Sequence, residues 1–330
     1  MKKAICLILI AFILSGCSNQ DKVYSKDLMY MDAYINVKIY GNDKKKIEKA
    51  LSEVDKMYKE YDGLSDRYTP YDDVVNINYI NKKLQVNKEI KIDERLYDIL
   101  EYSQSYDLKT NKLFNIALGN VIDVWAQYRD VIKKGFPSSA ELNSNGSIDS
   151  SSLVLKGSNT IMKTSNISLD LGAIAKGYVT ELAGDYLDSI GLHKYLITAG
   201  TSSVKAGDHY NGDRYKIGLT NPNKTDDLFK IIKGNNISVT TSGSYERYYE
   251  YEGIRYSHII DPITLFPPNY MLSVTVVTDD AALGEILSTT LYLMPIKDGV
   301  EYLKSFEGAE AVWYGVDGEI TMTDGMNKYE

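Results

Sequence analysis

Four short stretches hold the residue types that can do chemistry. In Asp170-Leu171-Gly172-Ala173-Ile174-Ala175-Lys176-Gly177 a strand-like run (167–171) gives way to a helix-like one. A turn of this kind aims free backbone N–H groups and a positive dipole end at the space in front of it, where phosphate is the usual occupant. Gly172 and Gly177 permit close approach, Lys176 adds a point charge and Asp170 an acceptor. The order is neither a Walker loop nor a three-glycine dinucleotide fingerprint, and alone it also reads as a purely structural helix start. The second stretch, Thr241-Ser242-Gly243-Ser244-Tyr245-Glu246-Arg247-Tyr248-Tyr249, is a polar turn leading into a strand, or an ordinary hairpin. The third, His258-Ile259-Ile260-Asp261-Pro262, holds one of three histidines; it can serve as a base or as a structural side chain. In the fourth, Glu285 and Thr289 sit at i and i+4 on one helix face, a pair of hard oxygens suited to Mg²⁺. By themselves they equally describe a solvated glutamate and a threonine bonded back to its own helix.

The elements that must position these stretches alternate in type. Residues 31–40 alternate as a half-buried strand, and 43–62 carry Ile47, Ala50, Leu51, Val54, Met57, Tyr58 and Tyr61 at helical spacing. A helix begins at Asp93, a good N-cap, and 113–128 reads as a buried turn running into a helix with Trp125. Residues 137–152 form a Ser/Asn/Gly-rich loop, and 172–189 a helix with Leu182, Tyr186, Leu187 and Ile190 inward. Residues 195–199 read as a strand followed by a turn at 200–203; strands and hairpins dominate 215–277, with turn signals at Asn211-Gly212, Asn221-Pro222, Gly234-Asn235 and Glu252-Gly253. A helix returns over 281–294, and 308–322 supplies two closing strands. Hairpin-built sheets with interposed helices predict an α+β fold: mixed, largely antiparallel sheets with flanking helices.

At 330 residues the chain is long enough for a large core, and a formal charge of −8 argues against nucleic acid as a partner. Lys2 and Lys3 precede an apolar run (4–14) too short for an ordinary membrane span. The Leu14-Ser15-Gly16-Cys17 that follows resembles a bacterial lipobox. On this reading residues 1–16 are a lipoprotein signal peptide, Cys17 is the lipidated first residue, 17–27 a tether and 28–330 the working domain. The expected location is the extracytoplasmic side of the cell membrane. The other cysteine, Cys6, lies in the segment that would be removed, so the mature chain has no disulfide.

Taken together and in order, these stretches resemble the ApbE family of FAD:protein FMN transferases, with the similarity running over about 31–294. Residues 170–177 are similar to the family's Asp-Leu-Gly-Gly-Ile-Ala-Lys-Gly, 241–247 to its Thr-Ser-Gly-Asp-Tyr-Glu-Arg, and 258–262 match its His-Ile-Ile-Asp-Pro. The resemblance implies a T-fold-like arrangement with FAD in a central cleft. By residue-by-residue transfer it implies FAD contacts from Asn78, from Ile116, Ala117 and Leu118, and from Asp170, Lys176, His258 and Ile259. It implies Mg²⁺ held by the Ala173 carbonyl, Glu285 and Thr289. The implied activity is Mg²⁺-dependent transfer of FMN from FAD to a Thr or Ser hydroxyl of an exported acceptor protein, with AMP leaving and His258 accepting the proton. Two alternatives stand beside it: water as acceptor, giving an FAD pyrophosphatase, and a lipid-anchored flavin- or solute-binding protein without chemistry. The chain departs from the family pattern at Glu285, where Asp is usual, and at Asn115 and Ala117, which replace an Asp and a Thr. It departs again at Ala199-Gly200-Thr201, in place of a Gly-Gly-Asn or Gly-Gly-Asp turn, and at Leu265, which replaces a glycine.

Overall fold

Met31 (φ 55°) and Asp32 (φ 54°) lie in the left-handed region and make the tight turn between β1 (Lys22–Tyr30) and β2 (Ala33–Gly41). The computed structural model describes residues 21–144 and 146–330; Cys17 and the apolar segment before it lie outside the described residues. Asp43 then caps α1 (Lys44–Ser65), whose Ile47, Ala50, Leu51, Val54 and Tyr58 form a buried stripe. Next come α2 (Ile77–Lys83), capped by Asn76, β3 (Glu89–Lys91) and α3 (Glu94–Ser105), capped by Asp93 as expected. The α4 helix (Gly119–Ala126) runs into a π-helical turn, Gln127–Ile132, and is followed by the short α5 (Ser139–Ser144). Strands β4 (Leu153–Leu155) and β5 (Thr160–Lys163) join β3 in a small sheet.

The helix α6 (Ala175–Ser189) leads into β6 (Tyr195–Ala199), β7 (Ser203–Ala206), β8 (Tyr215–Asn221), β9 (Lys224–Gly234) and β10 (Ile237–Gly243). A two-stranded ribbon, β11 (Tyr248–Tyr251) and β12 (Ile254–Ser257), precedes β13 (Met271–Thr278). The chain finishes with α7 (Ala281–Tyr292), α8 (Ile296–Leu303), β14 (Glu310–Gly315) and β15 (Ile320–Met322). Eight strands form the main sheet in the order β1-β2-β6-β7-β10-β13-β14-β15, every pair antiparallel. The α+β expectation holds.

Alternation along the sheet decides which layer covers which face. On one face Val239, Val277 and Val312 pack under the β8–β9 ribbon with Ile217, Leu219 and Ile232. On the other, α6 and α7 lie side by side: Val179, Ala183 and Leu187 of α6 join the Ile35, Val37 and Ile197 layer, while Leu287 and Leu291 of α7 join Val274, Val276 and Trp313. A third cluster, with Ile77, Leu96, Ile116, Leu169 and Ile286, ties the α2–α3 region to the turn before α6. Among the described residues no helix is long and apolar enough to cross a membrane.

The structure corrects several boundaries. The tether read over 17–27 overlaps β1, because Lys22 to Asp27 pair with Gly41 to Asn36. This is an edge strand of the sheet, and its polar outward residues mimic a linker. The helix expected from 172 begins at Ala175, since Gly172, Ala173 and Ile174 form a turn ahead of it. Its inward face is Val179, Ala183 and Leu187, with Leu182, Tyr186 and Ile190 only partly buried at the margin.

Candidate functional site

The turn 170–174 ends at α6 with no side-chain cap: the Ala175 N–H bonds the Leu171 carbonyl at 2.8 Å, and the Lys176 and Gly177 N–H groups of this 15-residue helix have no hydrogen-bond acceptor among the described residues. From the second residue of that helix, Lys176 Nζ donates to Glu285 Oε1 of α7 at 2.9 Å and to Ser203 Oγ of β7 at 3.3 Å. The Ser203 hydroxyl donates to the same Glu285 oxygen. Glu285 is 5 % exposed and Ser203 fully buried. Gly177 makes this junction possible: a Cβ there would stand 2.3 Å from Glu285 Cγ and 2.4 Å from the Ala281 carbonyl oxygen. Gly177 and Lys176, both picked out in the sequence, thus serve one helix crossing.

Glu285, Thr289 and Ala173 were the expected metal donors. Glu285 Oε1 is engaged as described, whereas Oε2 receives no hydrogen bond among the described residues. Thr289 is half-buried one turn further along α7, and Ala173 is half-buried in the turn. No backbone N–H of the described residues bonds the Ala173 carbonyl. Among the described residues no group of three or more His, Cys, Asp or Glu side chains gathers where it could hold a metal ion. Glu285, Thr289 and Ala173 nonetheless offer one carboxylate, one hydroxyl and one carbonyl, all hard oxygens. That chemistry fits Mg²⁺, which commonly takes few protein ligands and completes its shell with water and substrate phosphates.

Asp170 is fixed from both sides. Its Oδ1 accepts the Gly172 N–H at 2.7 Å and its Oδ2 accepts Arg67 Nη1 at 3.1 Å. Arg67 Nη2 also donates to the Gly119 carbonyl at 3.0 Å and to Asp123 Oδ2 at 2.9 Å. The segment 116–119 runs beside 168–170: Gly119 N–H bonds the Ser168 carbonyl and Asp170 N–H bonds the Ile116 carbonyl, at 2.9 and 2.8 Å. Ile116, Ala117 and Leu118 are buried, so only their backbone can line a ligand. Asn78, 3 % exposed, donates both amide hydrogens to carbonyls of Arg67 and Tyr68, at 2.9 and 2.8 Å. Only its Oδ1 remains for a ligand. Asn81 brackets Leu169 in the same way, accepting its N–H at 2.7 Å and donating to its carbonyl at 2.8 Å.

His258 follows directly on β12. Its Nδ1 faces the Arg247 carbonyl at 3.2 Å, and a carbonyl can only accept, so Nδ1 carries the hydrogen and Nε2 keeps its lone pair. Burial pushes the pKa down to about 4; the Arg247 carbonyl opposes this, and the positive charges of Arg247, Arg129 and Lys176 add to it. The influence of Lys176 puts His258 within electrostatic reach of the α6–α7 junction. Ile259 is half-buried against the α7 cluster. Asp261 is structural: its Oδ1 accepts the Ile263 N–H and its Oδ2 the Thr264 hydroxyl. Leu265 adopts φ 63°, the left-handed region that favours glycine, and its carbonyl is held by Trp125 Nε1 at 2.8 Å. A groove of about 720 Å³ is lined by Arg129, Asp130, Lys133 and residues 246–250; it reaches His258 only through Arg247, whose carbonyl that histidine bonds, and no residue of 116–119, 170–177 or α7 lines it. Its size is within the ~300–1,000 Å³ of small-molecule sites.

The residues that sequence reasoning missed are Arg67, Asp123 and Ser203. Arg67 and Asp123 carry no spacing signal, and Ser203 is one serine of a Thr-Ser-Ser turn.

The mixed sheet-and-helix fold carries a helix start without a side-chain cap, the Lys176–Glu285 pair and His258. The same architecture is found in the ApbE protein of Thermotoga maritima (TM-score 0.83, 22 % identity, covering 94 % of this chain and 99 % of that one). It recurs in the flavinyl transferase ApbE of Pseudomonas stutzeri (TM-score 0.80, 23 % identity, 94 % and 97 % covered). The chain belongs to the ApbE family, whose model matches residues 31–313. A relative from Klebsiella pneumoniae (strain 342), named FAD:protein FMN transferase, is 27 % identical over 315 residues, 92 % of this chain and 93 % of its own length.

Proposed function

We propose that this protein transfers the FMN portion of FAD to a Thr or Ser hydroxyl of an exported acceptor protein and releases AMP. The observation that carries the reading is the uncapped start of α6 with Lys176 beside it, next to a histidine held neutral, in a chain of this family. The α6 N–H groups and Lys176 attract the diphosphate. The 116–119 backbone and the Asp170 turn supply a rigid wall. His258 Nε2 takes the proton of the acceptor hydroxyl as its oxygen bonds the FMN phosphorus and the bond from that phosphorus to the AMP oxygen breaks. Glu285, Thr289 and the Ala173 carbonyl would hold Mg²⁺, which, when bound, offsets the negative charge of the diphosphate.

The test is to incubate the soluble domain with FAD and Mg²⁺ and assay AMP with and without a Thr-containing acceptor. Acceptor-dependent AMP and a covalently flavinylated acceptor are expected. AMP released equally without acceptor would make it a pyrophosphatase, and FAD bound with no AMP a binding protein. The lipobox supports attachment to the outer side of the cell membrane through Cys17. Cys17→Ala is expected to move the protein from the membrane to the soluble fraction; a variant that sediments with membranes like the wild type would remove the anchor.

A further inference from the structure

We propose that Arg67 is a positioning residue that locks the Asp170 turn to the 116–119 segment and so sets the affinity for FAD rather than the rate of transfer. The inference rests on the flavin reading above and goes beyond it by assigning a residue that no motif marks. Its guanidinium is 6 % exposed and spans three acceptors on two segments: Asp170 Oδ2 in the turn, and Asp123 Oδ2 and the Gly119 carbonyl on α4. Those partners lie 103, 56 and 52 residues away along the chain. Both walls of the phosphate-facing turn are therefore tied to one side chain.

The backbone of Arg67 is itself held. Asn78 bonds the carbonyls of Arg67 and Tyr68, Asn78 N–H bonds the Asp66 carbonyl, and Asp66 Oδ1 accepts the N–H groups of Tyr68 and Thr69. The arrangement runs from α2 through Arg67 to the turn, which is the support a binding loop needs to hold its geometry. A planar guanidinium can reach three acceptors at once; a lysine ammonium on a flexible stem cannot reproduce the fork. Asp170 uses both carboxylate oxygens inside this frame, so its contribution to a ligand comes through the placement of Gly172 and the α6 start. Arg67 Nε is buried without a partner.

The experiment measures FAD affinity by flavin fluorescence, the FAD KM, kcat and melting temperature for wild type, Arg67→Lys and Asp123→Asn. Arg67→Lys is expected to raise the FAD Kd and KM at least about 30-fold, equivalent to about 2 kcal/mol, with kcat at saturating FAD within threefold of wild type. Asp123→Asn, which removes one arm at a half-exposed site, is expected to shift Kd in the same direction by a smaller factor. It decides the matter if Arg67→Lys does not fold. An unchanged Kd, or a fall in kcat with Kd intact, overturns the assignment while leaving the flavin reading standing. A wild-type protein that does not bind FAD overturns both.

Discussion

Glu285→Ala is expected to lower Mg²⁺-dependent AMP release by at least about a thousandfold, a loss of about 4 kcal/mol of transition-state stabilisation. The side chain is buried, its Oε1 is bonded by Lys176 and Ser203, and its second oxygen receives no hydrogen bond among the described residues. Removing it deletes the one carboxylate in the donor set and leaves the Lys176 ammonium with the Ser203 hydroxyl but no charged partner. Glu285→Gln keeps the shape without the charge and is expected to lose the same activity with a smaller change in melting temperature. Glu285→Asp, which restores the residue usual in the family, is expected to retain activity or raise it. Unchanged AMP release and Mg²⁺ dependence in Glu285→Ala would make the carboxylate a bystander. Asp280 is not ready to replace it: its Oδ1 caps α7 through the Ala282 and Leu283 N–H groups, and its Oδ2 accepts the Tyr102 hydroxyl at 3.0 Å.

His258→Asn is expected to slow transfer by about 100- to 10,000-fold, the usual worth of a placed proton acceptor, with FAD affinity little changed. The pH dependence has a definite sign. The folded pKa of about 4 lies below the ordinary histidine value of 6.5, so between those values the unfolded chain binds more protons than the folded one. The stability contributed by a neutral His258 is therefore complete above pH 6.5 and is lost as pH falls toward 4. Melting temperatures across that interval should fall more steeply for wild type than for His258→Asn. Parallel curves would mean that His258 titrates like a solvated imidazole and is not held neutral by its surroundings.

How much of this was legible in the sequence depended on how local the signal was. The α1 stripe and the Asp93 cap could be read because their partners are three or four residues away or in the next turn. The hairpins from β6 to β12 were visible through their turn residues, and Glu285 and Thr289 through helical spacing. The α2 and α8 helices, 7 and 8 residues long, were too short to show a period, and β1 hid behind its polar edge. Arg67 could not be found at all. It stands in an irregular segment, and its meaning comes from Asp170 and Asp123, which only the fold brings to it. Leu265 shows the reverse: the family's glycine at this position became intelligible once the backbone proved left-handed, a conformation the leucine here adopts with its carbonyl bound to Trp125.

The long sequence separations have a consequence for folding order. Lys176 and Glu285 are 109 residues apart, Ser203 and Glu285 82, and Arg67 and Asp170 103. Contacts that close such large loops form late and slowly compared with helices and hairpins. The helices and the β1–β2 turn can exist in a partly folded chain, whereas the ligand site comes into being only when both halves have met. A flavin ligand therefore has nothing to bind until folding is complete, and its stabilisation falls wholly on the finished state. It should slow global unfolding while leaving the rate of refolding unaltered.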